Sequence, residues 1–167
     1  LAQTYRYPKS FDYLLYASQL LQADAMRYGV EHWRRNRGHC MGAIIWQLND
    51  IWPVASWASI DYYGRWKALH YMAKRFFAPV MISAEEHGQL DQNPKINEFH
   101  PAPILRSARL NVTNETLQPV IGRVCWALRN ADGSVVRSGE EAVTVDALSA
   151  CWLDELVFDE ASLNDHY

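Results

Sequence analysis

The sequence predicts an α/β unit followed by an all-β unit, with the join near residues 77–80. Three observations carry that expectation. Residues 40–48 (Cys40-Met41-Gly42-Ala43-Ile44-Ile45-Trp46-Gln47-Leu48) are uncharged and lie between two helical patterns, as in a strand covered on both faces of a parallel sheet. Beyond residue 105, runs of alternating polarity recur at intervals of about ten residues, the mark of an antiparallel sandwich. The formal net charge of −3 also conceals two compositions: residues 1–83 hold 10 Lys/Arg and 5 Asp/Glu, and residues 84–167 hold 6 and 14. Five of the seven tryptophans (Trp33, Trp46, Trp52, Trp57, Trp66) belong to the first of these halves. Two compositions mean two units.

The 167 residues are 49% hydrophobic and 21% charged, enough to bury a core and unlike a disordered or collagen-like chain. No apolar run approaches the roughly 20 residues of a membrane helix, so no membrane partner is expected. The basic charges of the first half sit singly or in Arg34-Arg35-Asn36-Arg37 at an expected helix end. There cations complement the helix dipole; no nucleic-acid partner is expected. Cys40, Cys125 and Cys151 are an odd set without zinc-ligand spacing, which fits a reducing compartment such as the cytoplasm. The start, Leu1-Ala2-Gln3-Thr4, has no initiator Met and no leader, and reads as a cut end.

Element by element, Ser10 can cap a first helix with Asp12 in its first turn. Leu14, Ala17, Leu21, Ala25, Tyr28 and His32 then recur at helical spacing, and Gly38 is a stop. The strand over residues 40–48 follows, broken by Asn49-Asp50-Ile51-Trp52-Pro53. A second helix is expected from about Arg65 to Phe77, with Trp66, Leu69, Ala73 and Phe76 on one face and Pro79 as terminator. Val80-Met81-Ile82 can open a strand, and residues 86–105 read as a polar loop. Residues 109–114, 121–129, 135–145 and 151–158 alternate as strands, with Asp132-Gly133 as a hairpin turn.

Chemistry concentrates at the end of the uncharged run, since parallel α/β folds gather ligand-binding groups at the carboxyl ends of their strands. Trp46, Asn49 and Asp50, with Trp52 and Trp57 behind them, offer aromatic faces for sugar C–H groups and polar groups for hydroxyls. The same residues also fit a core tryptophan followed by turn-forming Asn and Asp. His32 and His70 lie on helix faces as packed or surface residues. Glu31 fits an ordinary helical ion pair. No phosphate loop appears. Cys40, at the start of the buried run, reads as a small inert hydrophobe.

Several stretches resemble the β-mannosidases of glycoside hydrolase family two. They are Trp33-Arg34-Arg35, residues 41–53 (Met-Gly-Ala-Ile-Ile-Trp-Gln-Leu-Asn-Asp-Ile-Trp-Pro), Ser56-Trp57-Ala58-Ser59-Ile60-Asp61, Trp66-Lys67-Ala68-Leu69-His70-Tyr71 and Phe76-Phe77-Ala78-Pro79. Val112-Thr113-Asn114-Glu115-Thr116 and Asp132-Gly133 resemble the immunoglobulin-like sandwich that follows that family's barrel. The resemblance implies that residues 1–77 are the C-terminal part of a (β/α)8 TIM barrel: helix, last strand, helix. Residues 78–167 would be an immunoglobulin-like antiparallel β-sandwich, truncated at its C-terminus. It further implies that Trp46 floors the sugar site, with Asn49, Asp50 and Trp57 binding substrate or supporting the site.

A retaining glycosidase needs two carboxyl groups about 5–5.5 Å apart, and in this family both are Glu on earlier barrel strands. Residues 1–83 contain one Glu, Glu31. The expectation is therefore the C-terminal portion of a retaining exo-β-mannosidase, acting on a terminal β-mannoside of an oligosaccharide, with no catalytic residue in this chain and no metal or cofactor. The alternatives are a β-galactosidase or β-glucuronidase of the same family, or a non-catalytic carbohydrate-binding sandwich presenting Trp126 or Trp152. Those two tryptophans sit in strands where core packing is expected. The isolated chain is expected to self-associate through the unpaired strand at residues 40–48.

Overall fold

A computed structural model describes residue 5, residues 7–88 and residues 104–159. Helix α1 spans Phe11–Arg35 and α2 spans Ala68–Phe76; five strands follow, β1 (Val80–Gly88), β2 (Ile104–Asn114), β3 (Val120–Arg129), β4 (Val135–Val145) and β5 (Ser149–Val157). Ser10 caps α1 as expected, its Oγ accepting from Tyr13 N at 3.3 Å. Lys67, at the cap position of α2, gives no such bond. Instead the Ala68 amide donates to Gln19 Oε1 at 3.3 Å, so α1 caps its neighbour.

The buried face of α1 is not the expected one. Ala23, Met26 and Val30 pack with Leu69, Phe76 and Met81, while Leu14, Ala25, Tyr28 and His32 face outward. Apolar residues run around more than one side of this helix, so periodicity alone cannot choose which side is covered. Helix α2 begins three residues later than expected, which leaves Trp66 ahead of it and exposed.

Residues 40–48 do not form a strand. Their burial alternates nonetheless: Ala43 and Ile45 pack against the helical core, and Ile44, Trp46 and Leu48 face outward. A parallel strand is made by its neighbours' hydrogen bonds, and among the described residues no strand lies beside this one. The segment has the alternation of a strand without the ladder.

The all-β half matches its expectation closely. One sheet has the order β1-β2-β5 and the other pairs β3 with β4, all antiparallel. The sheets enclose Val112, Val124, Val145 and Leu153, with Leu110, Val143 and Cys151 at the edges. Strand β1 runs to Gly88 and β2 starts at Ile104, shortening the expected loop from both ends; residues 89–103 lie outside the described residues. So do residues 1–4 and 160–167. The β3–β4 turn is built as Asp132-Gly133 predicts. Gly133 has φ 88°, and Asp132 Oδ1 accepts from Ser134 N at 2.8 Å and from its Oγ at 2.6 Å.

The tryptophans of the sandwich are outside this core. Trp126 and Trp152 are half-buried, with Arg137 lying over the Trp126 ring at 5.2 Å and Arg109 over that of Trp152 at 5.0 Å. Trp152 pairs in register with Asn111, on the face turned away from this core, and Trp126 packs edge-on against Phe158 at 6.0 Å; each ring is also covered by a guanidinium group.

Asn114 is the polar anchor of the sandwich. Wholly buried, it donates to the carbonyls of Gln118, Val145 and Asp146 at 2.8, 3.2 and 3.0 Å. Its Oδ1 accepts from the Thr116 amide and hydroxyl at 2.9 and 2.7 Å. One side chain thereby fixes both the β2–β3 turn and the end of β4.

The three-stranded sheet lies between the two-stranded sheet and α1. Residues 110 and 112 face the sandwich core, so Asn111 and Thr113 face the helix, with Met81 and Ser83 beside them in register. The Arg34-Arg35-Asn36-Arg37 run fastens this junction. Arg34 Nη1 donates to Phe76 O at 2.6 Å and Arg35 Nη1 to Ala84 O at 3.1 Å. Arg37 Nε donates to Leu148 O at 2.5 Å and its Nη1 is ion-paired to Glu115. Leu148 itself takes a positive φ of 52°. The cluster complements the helix dipole, as expected, and it also joins the two units.

Candidate functional site

Residues 46–67 form an irregular lobe in front of α2. Asn49 bridges Ile60 in parallel, and Ile60 bridges Trp66 antiparallel. Ser59 N donates to both Gln47 O and Leu48 O at 3.1 Å, Ile60 N to Leu48 O at 2.9 Å, and Asp50 N to Ile60 O at 3.0 Å. The Trp46–Gln47 peptide bond is cis. Nothing in the sequence signals it, because the second residue is not proline.

The lobe's polar centre is Asp50. Its carboxylate is buried, with the residue only 5% exposed. Ser56 Oγ donates to Oδ1 at 2.5 Å and Lys67 Nζ to Oδ2 at 3.1 Å. Lys67 Nζ also donates to Ser56 O at 3.3 Å, and Ser56 Oγ accepts from Ala58 N at 3.0 Å. Both carboxylate oxygens are therefore occupied. The Ser56 hydrogen bond, followed by Lys67, holds the Asp50 carboxyl below its ordinary range against the opposing effect of burial. A buried carboxylate without such partners would be costly.

Of the four residues expected at a sugar site, the structure brings all into this lobe but gives them different surroundings. Trp46 is 71% exposed and Trp57 61% exposed. Asn49 is exposed, with Nδ2 donating to Asp50 O at 3.2 Å. Asp50 faces inward. Behind the lobe, Ser59 Oγ donates to Leu48 O at 2.8 Å and lies 3.1 Å from His70 Nδ1, whose ring packs edge-on against Trp66 at 4.4 Å.

Sequence reasoning gave no role to Ser56, Lys67 or Gln22. Gln22 Nε2 donates to Trp57 O at 2.9 Å across 35 residues of sequence, and Lys67 reaches Asp50 across 17. Contacts at such separations leave no local pattern. Glu31 stands where it was expected, 3.9 Å from Arg27 and 3.8 Å from Arg35 on α1, with its carboxyl pushed up by burial. Among the described residues, no three His, Cys, Asp or Glu side chains gather as a metal site would require.

Residues 106–167 match the family described as the Mannosidase Ig/CBM-like domain. The chain is 46% identical over 90 residues to the β-mannosidase of Capra hircus, covering 46% of this chain and 10% of that protein. It is 31% identical over 164 residues to β-mannosidase A of Aspergillus terreus, covering 93% of this chain and 16% of that one. The crystal structure of the β-D-mannosidase of Dictyoglomus thermophilum superposes with a TM-score of 0.69 at 28% identity, over 96% of this chain and 18% of the other. An exo-chitosanase of Amycolatopsis orientalis shares the fold, with a TM-score of 0.67 at 24% identity over 91% of this chain and 16% of the other. The chain thus spans about a tenth to a sixth of the curated relatives named here. The match runs through both the lobe and the sandwich, and the chain belongs to the β-mannosidases of glycoside hydrolase family two.

Proposed function

We propose that the chain is the C-terminal portion of a retaining exo-β-mannosidase that removes terminal β-mannose from oligosaccharides. The observation that carries this reading is the lobe itself. Trp46 is turned outward at the end of residues 40–48, with Asn49 exposed nearby and Asp50 buried beneath. In this reading residues 1–77 complete a (β/α)8 barrel. Residues 40–48 are its last strand, with Ala43 and Ile45 facing the helices and Ile44, Trp46 and Leu48 facing the barrel's interior. The alternation of residues 43–48 supports that assignment.

Trp46 then floors the subsite of the terminal sugar, where its ring covers the C–H face of the pyranose. Asn49 and Trp57 line the same opening, and Asp50 supports it. The nucleophile and the acid/base are two Glu supplied from outside this chain, and the two-carboxylate mechanism calls for no cofactor. The sandwich is structural. A carbohydrate-binding role for it would need an open aromatic platform, and the arginines over Trp126 and Trp152 argue against one.

The test is hydrolysis of an aryl β-mannoside by the intact enzyme, with the anomer of the first product read by NMR. Release of β-mannose supports the reading. Preference for a β-galactoside or β-glucuronide, or release of the α-anomer, overturns it.

A further inference from the structure

Ser59 is buried, with 4% of its surface exposed, and all of its polar groups are engaged. Its amide donates to Gln47 O and Leu48 O at 3.1 Å, and its carbonyl accepts from Lys67 N at 2.9 Å. Its hydroxyl donates to Leu48 O at 2.8 Å and lies 3.1 Å from His70 Nδ1. Gln47 and Leu48 directly follow Trp46, while Lys67 and His70 belong to the start of α2. One small residue therefore ties the backbone that carries Trp46 to the opening turn of a helix. The partners all come from the lobe and from α2, so this burial does not depend on what else an intact enzyme sets in front of them.

The Ser59 hydroxyl is not needed to satisfy the backbone. Leu48 O already accepts two amides, Ser59 N at 3.1 Å and Ile60 N at 2.9 Å, and a carbonyl oxygen has two lone pairs. Ser59→Ala would thus strand no backbone group. What the hydroxyl adds is the link to His70. It has one hydrogen; with that hydrogen on Leu48 O, the contact to His70 is an Nδ1–H donating to Ser59 Oγ, which sets the imidazole tautomer. The His70 ring is half-buried and lies edge-on to Trp66, with centroids 4.4 Å apart, so it is itself held. A separate bond at the same helix start, Lys67 Nζ to Asp50 Oδ2 at 3.1 Å, fixes the far end of residues 47–50. Such redundant anchoring is what a site needs when it must hold a group within about half an ångström of its working position.

We propose that Ser59 and His70 are positioning residues for Trp46, setting its height against the terminal sugar through the backbone of Gln47 and Leu48. This rests on the reading of Trp46 as the floor of that subsite. Neither residue touches substrate. A misplacement of about 1 Å at a reacting centre costs on the order of a hundredfold in rate, and the looser hold left by one lost bond costs less. A slightly displaced floor still binds the sugar but fits the transition state less well, so the loss falls on kcat more than on KM.

The experiment measures kcat and KM of the intact enzyme on an aryl β-mannoside, per folded molecule, beside thermal unfolding. Ser59→Ala is expected to lower kcat about tenfold, with KM and Tm nearly unchanged. His70→Phe keeps a ring against Trp66 but has no N–H, and should slow the enzyme equally. His70→Asn carries an N–H the same number of bonds from the backbone as Nδ1, and should recover most of the rate. The double variant of Ser59→Ala with His70→Phe should be no slower than either alone, and neither should matter further once Trp46 is replaced by Ala, since all act through one ring. The proposal is overturned if Ser59→Ala is as fast as wild type, or is slowed only as folded protein is lost. It is equally overturned if His70→Asn is no faster than His70→Phe, or if the losses add to that of Trp46→Ala. If Trp46→Ala itself leaves kcat/KM unchanged, the reading of Trp46 as the sugar-site floor fails first. Should the wild-type enzyme cleave no β-mannoside, the same variants are compared on the β-galactoside or β-glucuronide it does cleave. An enzyme that cleaves none of these overturns both readings.

Discussion

Asp50 shows how one side chain can hold a loop by charge. Its carboxyl is depressed in the folded chain, first by the Ser56 hydrogen bond and then by Lys67, while burial and Asp61 act the other way. A depressed carboxyl binds its proton more weakly folded than unfolded. The ionised form therefore stabilises the lobe above the ordinary carboxylate range of about 4, and that contribution is lost as pH falls through the folded value. Comparing Asp50→Asn with wild type by amide exchange at Ala58 should show a gap in protection near neutrality that closes below about pH 4. A gap that persists in strong acid would mean the carboxylate's charge is not what holds the loop. Glu31 works in the opposite sense. Burial raises its carboxyl, so it costs stability near neutrality and is relieved as the solution is acidified. The two tryptophan environments separate just as clearly. Trp46→Ala in the intact enzyme should cost about 1–3 kcal/mol of transition-state stabilisation, read in kcat/KM, with little change in unfolding. Trp126→Ala should cost about 1–3 kcal/mol of stability, less than a fully buried tryptophan would, and leave kcat/KM unchanged. Equal catalytic loss from the two, with unfolding unchanged, would sink the assignment of Trp46.

Among the elements, α1 does the most joining. Its middle turns hold α2 through Gln19 and the lobe through Gln22, and Arg34, Arg35 and Arg37 at and just after its end hold α2 and the sandwich. Two kinds of contact support the turn that receives them, and they should differ in worth. Glu115 pairs with Arg37 and lies 3.9 Å from Arg34, but its side chain is about a third exposed, so solvent screens it. Glu115→Ala should cost no more than about 1 kcal/mol in denaturant unfolding. Asn114 is wholly buried, and its loss removes the side-chain partner of the Val145 and Asp146 carbonyls and of the Thr116 amide, while the Thr116 hydroxyl keeps the Gln118 carbonyl at 2.9 Å. Asn114→Ala should cost about 2–4 kcal/mol. The reverse ranking would mean that the ion pair, not the asparagine, organises the turn.

At the scale of the whole molecule, the two halves differ in how complete their packing is. The sheets bury their own core. The lobe instead presents Ile44, Trp46, Leu48, Ile51, Trp52 and Trp57 outward, with Ile44 97% exposed. Exposed apolar surface on that scale marks an association surface. The isolated chain should therefore run larger than a monomer by light scattering, and limited proteolysis should open residues 40–60 before the sandwich. A monodisperse monomer resistant to protease through residue 77 would refute this. The same isolated chain should not hydrolyse an aryl β-mannoside above background, because positioning without a nucleophile or acid leaves the chemistry unassisted. Turnover abolished by changing a carboxylate within residues 1–167 would show that the chemistry lies here after all.

The sequence by itself determined the order of units, the cap at Ser10, the strands of the sandwich, the Asp132-Gly133 turn, and the stretch in which Trp46, Asn49, Asp50 and Trp57 gather. Each is written in neighbouring residues: a period of two, a capping hydroxyl, a turn pair, a cluster of aromatic and polar side chains. Only the tertiary structure decided the rest. Which side of α1 is covered depends on α2 and β1. Whether residues 40–48 have a ladder depends on neighbouring strands, and among the described residues none lies beside them. That Asp50 is held inward depends on Lys67, and the backbone at Trp57 is held by Gln22; both partners are remote in sequence. Local patterns fix what a segment can become, and long-range partners fix which of its faces meets water.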